Sequence, residues 1–281
     1  MLPTGGISFL RVRSSEAFSV ISIFIASVIS PFFVDFTPEV RTTYVSLGKI
    51  VEDRPMQTDF IRIGYDTGAA GRFGIYNFDV SSLTDRRSDV HRHCLYHTEY
   101  GPFWDCDWKF AEGWALRNGL MAVITLYRGF DNDASNGDYG WIQVGQSLEN
   151  PYVVPYYRMR RYGLDTDYFY FRLGIRRKYR FLGDFYVTPE VAVDGGNSRN
   201  YRRVIGENVN DADGDWGHGG VSSVTFRLEA GWEVCDWATL FAYAEQYEVT
   251  GEDARDSNAA SSYACAHNDW TLGGVGLRMK F

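Results

Sequence analysis

The sequence predicts an all-β protein, an antiparallel up-and-down transmembrane β-barrel of about 12 strands, and three observations carry that reading. From about residue 40 onward, apolar and polar side chains alternate with a period of two, which gives each strand two unlike faces. The alternating runs number about twelve, an even count, and the connectors between them switch between short and long. Composition then removes the alternatives. Of the 281 residues 23% are charged, and the mean hydropathy is −0.28. A bundle of membrane-crossing helices would need segments of roughly 20 nearly uncharged residues each. The 19 Phe, 19 Tyr and 8 Trp are the residues that disordered chains lack.

Taken in order, the chain opens with Arg11 and Arg13 ahead of an uncharged stretch from Ala17 to Val34. Positive and then apolar is the order of a secretory signal, with Ser27 or Ser30 as the small residue at the cleavage site. Residues 1–35 are read as a signal peptide or disordered N-terminal segment, and 36–281 as the barrel. Strands are expected near 40–51, 58–66, 71–80, 94–110, 114–127, 139–149 and 152–162. The clearest lies near 167–180, where Phe169, Phe171, Leu173 and Ile175 hold one phase. Arg172, Arg176, Lys178 and Arg180 hold the other. Near 185–197, Val187, Val191 and Val193 oppose Glu190 and Asp194; near 221–233, Phe226, Leu228 and Trp232 oppose Arg227, Glu229 and Glu233. The last two strands are expected near 238–250 and 267–281.

Short connectors fall at Thr67–Gly71, Ala111–Gly113, Asn150–Pro151, Leu182–Gly183 and Cys235–Asp236, and longer ones at 81–93, 128–138, 198–220 and 251–266. Tight turns at one rim and loops at the other describe an up-and-down barrel whose termini share the tight-turn side. In the final strand Thr271, Gly273, Val275, Leu277, Met279 and Phe281 form one phase. Gly276, Met279 and the terminal Phe281 make a Gly-x-x-apolar-x-Phe ending that resembles the assembly signal of Gram-negative outer-membrane β-barrel proteins. That resemblance implies export through the periplasm, periplasmic chaperones, the barrel assembly machinery, and final partners that are outer-membrane lipid and lipopolysaccharide.

For function, the net charge of −8 argues against nucleic acid, whose phosphates need a clustered basic surface. In a barrel of this kind the polar phase faces the lumen. Arg158 and Arg160 on one strand, with Arg172, Arg176, Lys178 and Arg180 on the next, form a basic row. Glu190 and Asp194 point inward beside it, and Glu99, Asp105 and Asp107 from an earlier strand. Two readings follow: a passive, porin-like channel for small charged solutes with the basic row as selectivity element, or a closed barrel whose charges pair and fill the lumen, serving as anchor or surface-interaction scaffold. A third is a barrel enzyme. Gly195–Asn200 resembles, faintly, the Ser-Arg segment of barrel phospholipases, and Asp269 beside His267 partly echoes omptin-like proteases. No catalytic set follows from either. Asp89, His91 and His93 are read as ordinary loop polarity. Asp211, Asp213 and Asp215 alternate as oxygen ligands of calcium do, and calcium at that external loop is the one cofactor considered. Cys94, Cys106, Cys235 and Cys265 match no zinc pattern and leave disulfide pairing open.

Overall fold

A computed structural model of the chain describes residues 31–46, 49–52, 55–83, 96–128, 139–162, 168–197, 220–250 and 269–281. Its strands are β1 (Phe32–Arg41), β2 (Tyr44–Ser46), β3 (Lys49–Glu52), β4 (Met56–Asp66), β5 (Arg72–Ser82), β6 (Tyr96–Ala111), β7 (Trp114–Arg128) and β8 (Tyr139–Glu149). They continue as β9 (Val154–Tyr162), β10 (Tyr168–Arg176), β11 (Tyr179–Phe181), β12 (Phe185–Gly196), β13 (Gly220–Cys235), β14 (Ala238–Val249) and β15 (Asp269–Lys280). β2 and β3 pair only with each other, as a small hairpin in the β1–β4 connection. β10 and β11 are two lengths of one stave, and both pair with β12. All other neighbours pair antiparallel in chain order, and β15 returns to β1. The result is a closed barrel of twelve staves, which leaves no open sheet edge.

Most strand bounds fall within two residues of those expected, and the first does not. β1 starts at Phe32, ahead of the expected barrel start at 36, and the stretch expected as a strand at 40–51 is the end of β1 plus most of the small hairpin. The reason is that Phe32, Phe33 and Val34 extend an apolar run and hide the alternation that starts there. Phe32 and Phe36 face out, while Phe33, Asp35 and Glu39 face in. The expected signal segment before residue 31 lies outside the described residues.

Both ends of the described chain meet the rim of the five tight turns. Gly113 adopts φ 72° in the two-residue β6–β7 turn, a conformation an L side chain resists. Outward side chains near this rim form an aromatic girdle. Phe185 stacks on Trp232 at 5.6 Å, Trp237 on Phe281 at 5.5 Å, and Phe110, Trp114 and Tyr152 follow at 6.4 Å spacings. Above the girdle Ile75, Leu228, Leu240 and Val275 stand half or more exposed, a contiguous apolar wall that water would penalise and hydrocarbon would not.

Inside, glycines let neighbouring staves approach. The rings of Tyr156, Tyr186, Tyr243 and Phe241 lie over Gly174, Gly231, Gly274 and Gly276, where an added Cβ would come within 2.3–2.6 Å of ring atoms. Each ring covers backbone that glycine leaves bare, the cross-strand aromatic rescue that pins register in curved sheets.

Candidate functional site

The lumen is where inward charges meet, and its two ends differ. At the loop end the inward residues are buried: Met56, Val80, Val123, Thr125, Trp141, Tyr162, Thr225 and Val249 are all under 5% exposed. Tyr76, Phe103, Trp141, Tyr162 and Tyr170 belong to one packed cluster, and Phe241, Tyr243, Tyr247 and Trp270 to another. At the turn end Asp107, Lys109, Arg117, Lys178, Arg180 and Lys280 are exposed. A cavity of about 540 Å³ opens there between Arg180, Tyr186, Glu233, Thr239, Arg278 and Lys280.

Between these ends the basic row is not a bare wall. Arg172 reaches Glu245 at 3.3 Å, Glu190 at 3.6 Å and Asp194 at 3.9 Å. Asp194, fully buried, also accepts from the hydroxyls of Tyr170 and of Thr225, the latter at 3.0 Å. Glu190 accepts from the Tyr156 hydroxyl. Arg176 lies 3.6 Å from Glu149, and Lys178 and Arg180 share Glu233. Arg160 donates to Gln143 at 3.0 Å and to the Tyr162 hydroxyl at 2.9 Å, with its guanidinium 3.8 Å from the Trp141 ring centre. Arg158 is different. It faces inward, is exposed, and makes no hydrogen bond or ion pair with the described residues.

The opposite wall joins the expected inward acid Asp105 and the polar-phase Arg227 and Glu229 to partners that the sequence did not single out, Asp35, Arg62, Arg72, Glu245 and Arg278. Arg62 and Arg72 both grip Asp35 and Asp105, Arg227 bridges Glu229 and Glu245, and Arg278 holds Glu229 at 2.7 Å. Their signal was the polar phase of each strand; which acid meets which base depends on strand tilt and register. Guanidinium groups lying 3.5 Å over Tyr243 and 4.0 Å over Phe241 tie these pairs into the aromatic packing.

The other expected residues fall elsewhere. Gly276 seats the Phe241 ring, Met279 pairs in register with Phe36, and Phe281 exchanges backbone hydrogen bonds of 2.9 and 2.8 Å with Val34. The assembly-signal residues therefore form the seam that closes the barrel. The Asn197 side chain accepts from the Phe169 amide at 3.2 Å, while Ser198, Arg199 and Asn200 lie outside the described residues. So do Asp211, Asp213 and Asp215, with Asp89, His91, His93 and His267. Cys106 and Cys235 are free thiols; Cys94 and Cys265 are not among the described residues.

Closed topology, outward apolar wall and inward charge define an antiparallel β-barrel of the transmembrane type. The chain is similar to the KdgM porin, with 12% identity and a TM-score of 0.47 over 89% of this chain and 99% of that one. It is also similar to an outer membrane channel from Pseudomonas putida F1, at 10% identity, TM-score 0.46, and 89% and 94% coverage. Outer membrane phospholipase A from Escherichia coli matches at 15% identity, TM-score 0.41, and 88% and 91% coverage. No family model matches the chain, and no curated protein matches it in sequence.

Proposed function

We propose that the protein is a passive, porin-like channel for small charged solutes in the outer membrane of a Gram-negative-type bacterium, with its turn rim toward the periplasm. One observation carries this. Charged side chains stay exposed from the turn rim, at Asp107, Lys109 and Arg117, to the middle of β9 at Arg158. A filled barrel has no reason to keep a charge wet at that depth, since buried charge without a partner is expensive. The paired walls around it supply a transverse field that acts on charged solutes. Gly276, Met279 and Phe281, at the seam, support delivery by the barrel assembly machinery.

Burial of the loop-end residues favours a second reading, a closed barrel serving as anchor or surface scaffold. Single-channel recording of the refolded chain in a planar bilayer, with the reversal potential under a salt gradient, separates the two. Steady conductance with charge preference is the expected result. An inserted, heat-modifiable barrel that stays electrically silent would sink the channel and leave the scaffold.

A further inference from the structure

Four inward glycines are filled by a neighbour's ring, while Gly119 and Gly145 have almost nothing over them. A Cβ added at Gly119 would meet only the Gly145 carbonyl oxygen, at 3.9 Å, and one at Gly145 only the Tyr157 carbonyl oxygen, at 3.3 Å. These two glycines are register partners, and Gly145 is in turn the partner of Arg158. Two adjacent staves thus present no side chain to the lumen beside the one mid-barrel cation without a partner among the described residues.

The rest of that ladder row explains why the charge is left over. Asp105, register partner of Gly119, is held by Arg62 and Arg72. On the other side Arg158 pairs in register with Arg172, and Arg172 is committed to Glu190, Asp194 and Glu245. The acids of the row, Asp105, Glu190, Asp194 and Glu245, already serve other arginines. The glycine gap leaves the guanidinium facing solvent rather than a wall.

We propose that Arg158 and the gap over Gly119 and Gly145 form an oxyanion subsite midway along the lumen, taking the carboxylate or phosphate of a small solute. The planar guanidinium presents paired donors that match either group. The site deepens the channel reading and rests on it only for the further passage of the bound solute.

The test is equilibrium binding, by titration calorimetry, of acetate and of inorganic phosphate to the full chain refolded in detergent, together with bilayer recording. Arg158→Ala removes no ion pair, so it should keep the heat-modifiable gel shift and the β spectrum of the wild type. Anion affinity is expected to fall about tenfold, as loss of a charge-assisted hydrogen bond implies. Arg158→Lys should fall between, and Gly119→Leu, which fills the gap without touching the charge, should weaken binding too. Acetate bound more tightly than phosphate would assign carboxylates, and the reverse would assign phosphates. No saturable binding by the wild type, or binding and selectivity unchanged in a folded Arg158→Ala barrel, would overturn the subsite. A barrel that binds anions through Arg158 yet never conducts would overturn the channel and leave the subsite standing.

Discussion

Arg172 and Arg180 lie on one stave, eight positions apart, and the barrel uses them in opposite ways. Arg172 has a side chain only 14% exposed and sits among three carboxylates, one of them fully buried; Arg180, 57% exposed at the turn rim, shares a single glutamate with Lys178. The same contrast recurs elsewhere in the lumen: Tyr162 and Val249 are buried at the loop end, while Asp107, Lys109 and Lys280 are exposed at the turn end. An inward arginine is therefore a structural element or a surface charge according to height, and residue type does not say which.

The largest expected effect breaks the packed end. Arg172→Ala leaves the buried Asp194 without its counter-charge and Glu245 with Arg227 alone, and about 3–5 kcal/mol of stability should be lost, read as a lower urea midpoint for unfolding from lipid vesicles. Unchanged stability would mean that the packed half is as wet as the open one. Gly276→Val comes next. Its side chain would enter the space of the Phe241 ring and approach the Pro38 carbonyl oxygen, 2.7 Å from the position of an added Cβ, so about 1–3 kcal/mol or failure to close is expected by the same assay. Arg180→Ala should leave the urea midpoint nearly unchanged, and more nearly so in high salt, because exposed pairs are screened. A loss as large as that of Arg172→Ala would show that the turn-end cavity is dry.

The strands were legible in the sequence because a period of two survives any detail of packing. Phe169 to Ile175 against Arg172 to Arg180 needed no coordinates. β1 was misplaced because Phe32 and Phe33 blur into the preceding apolar stretch. In the site, the inward direction of Arg158, Arg160, Arg172, Glu190 and Asp194 could be read, and the pairing could not. Glu245 reaches Arg172 across the lumen from 73 residues away in sequence. The isolation of Arg158 depends on glycines of two other strands, which show nothing in a hydropathy pattern.

The seam between β1 and β15 has a consequence in time. Every other barrel ladder joins staves that follow one another in the chain, so each can form from local encounters. The seam brings Val40 to Val275 and so must wait for the rest, which makes closure the slow, late event of folding. Its register skips from Phe36 to Glu39, across Pro38, which has no amide proton to give. The last ladder to form is thus also a thinly bonded one, and hydrogen exchange should find its amides opening before those of β12 and β13.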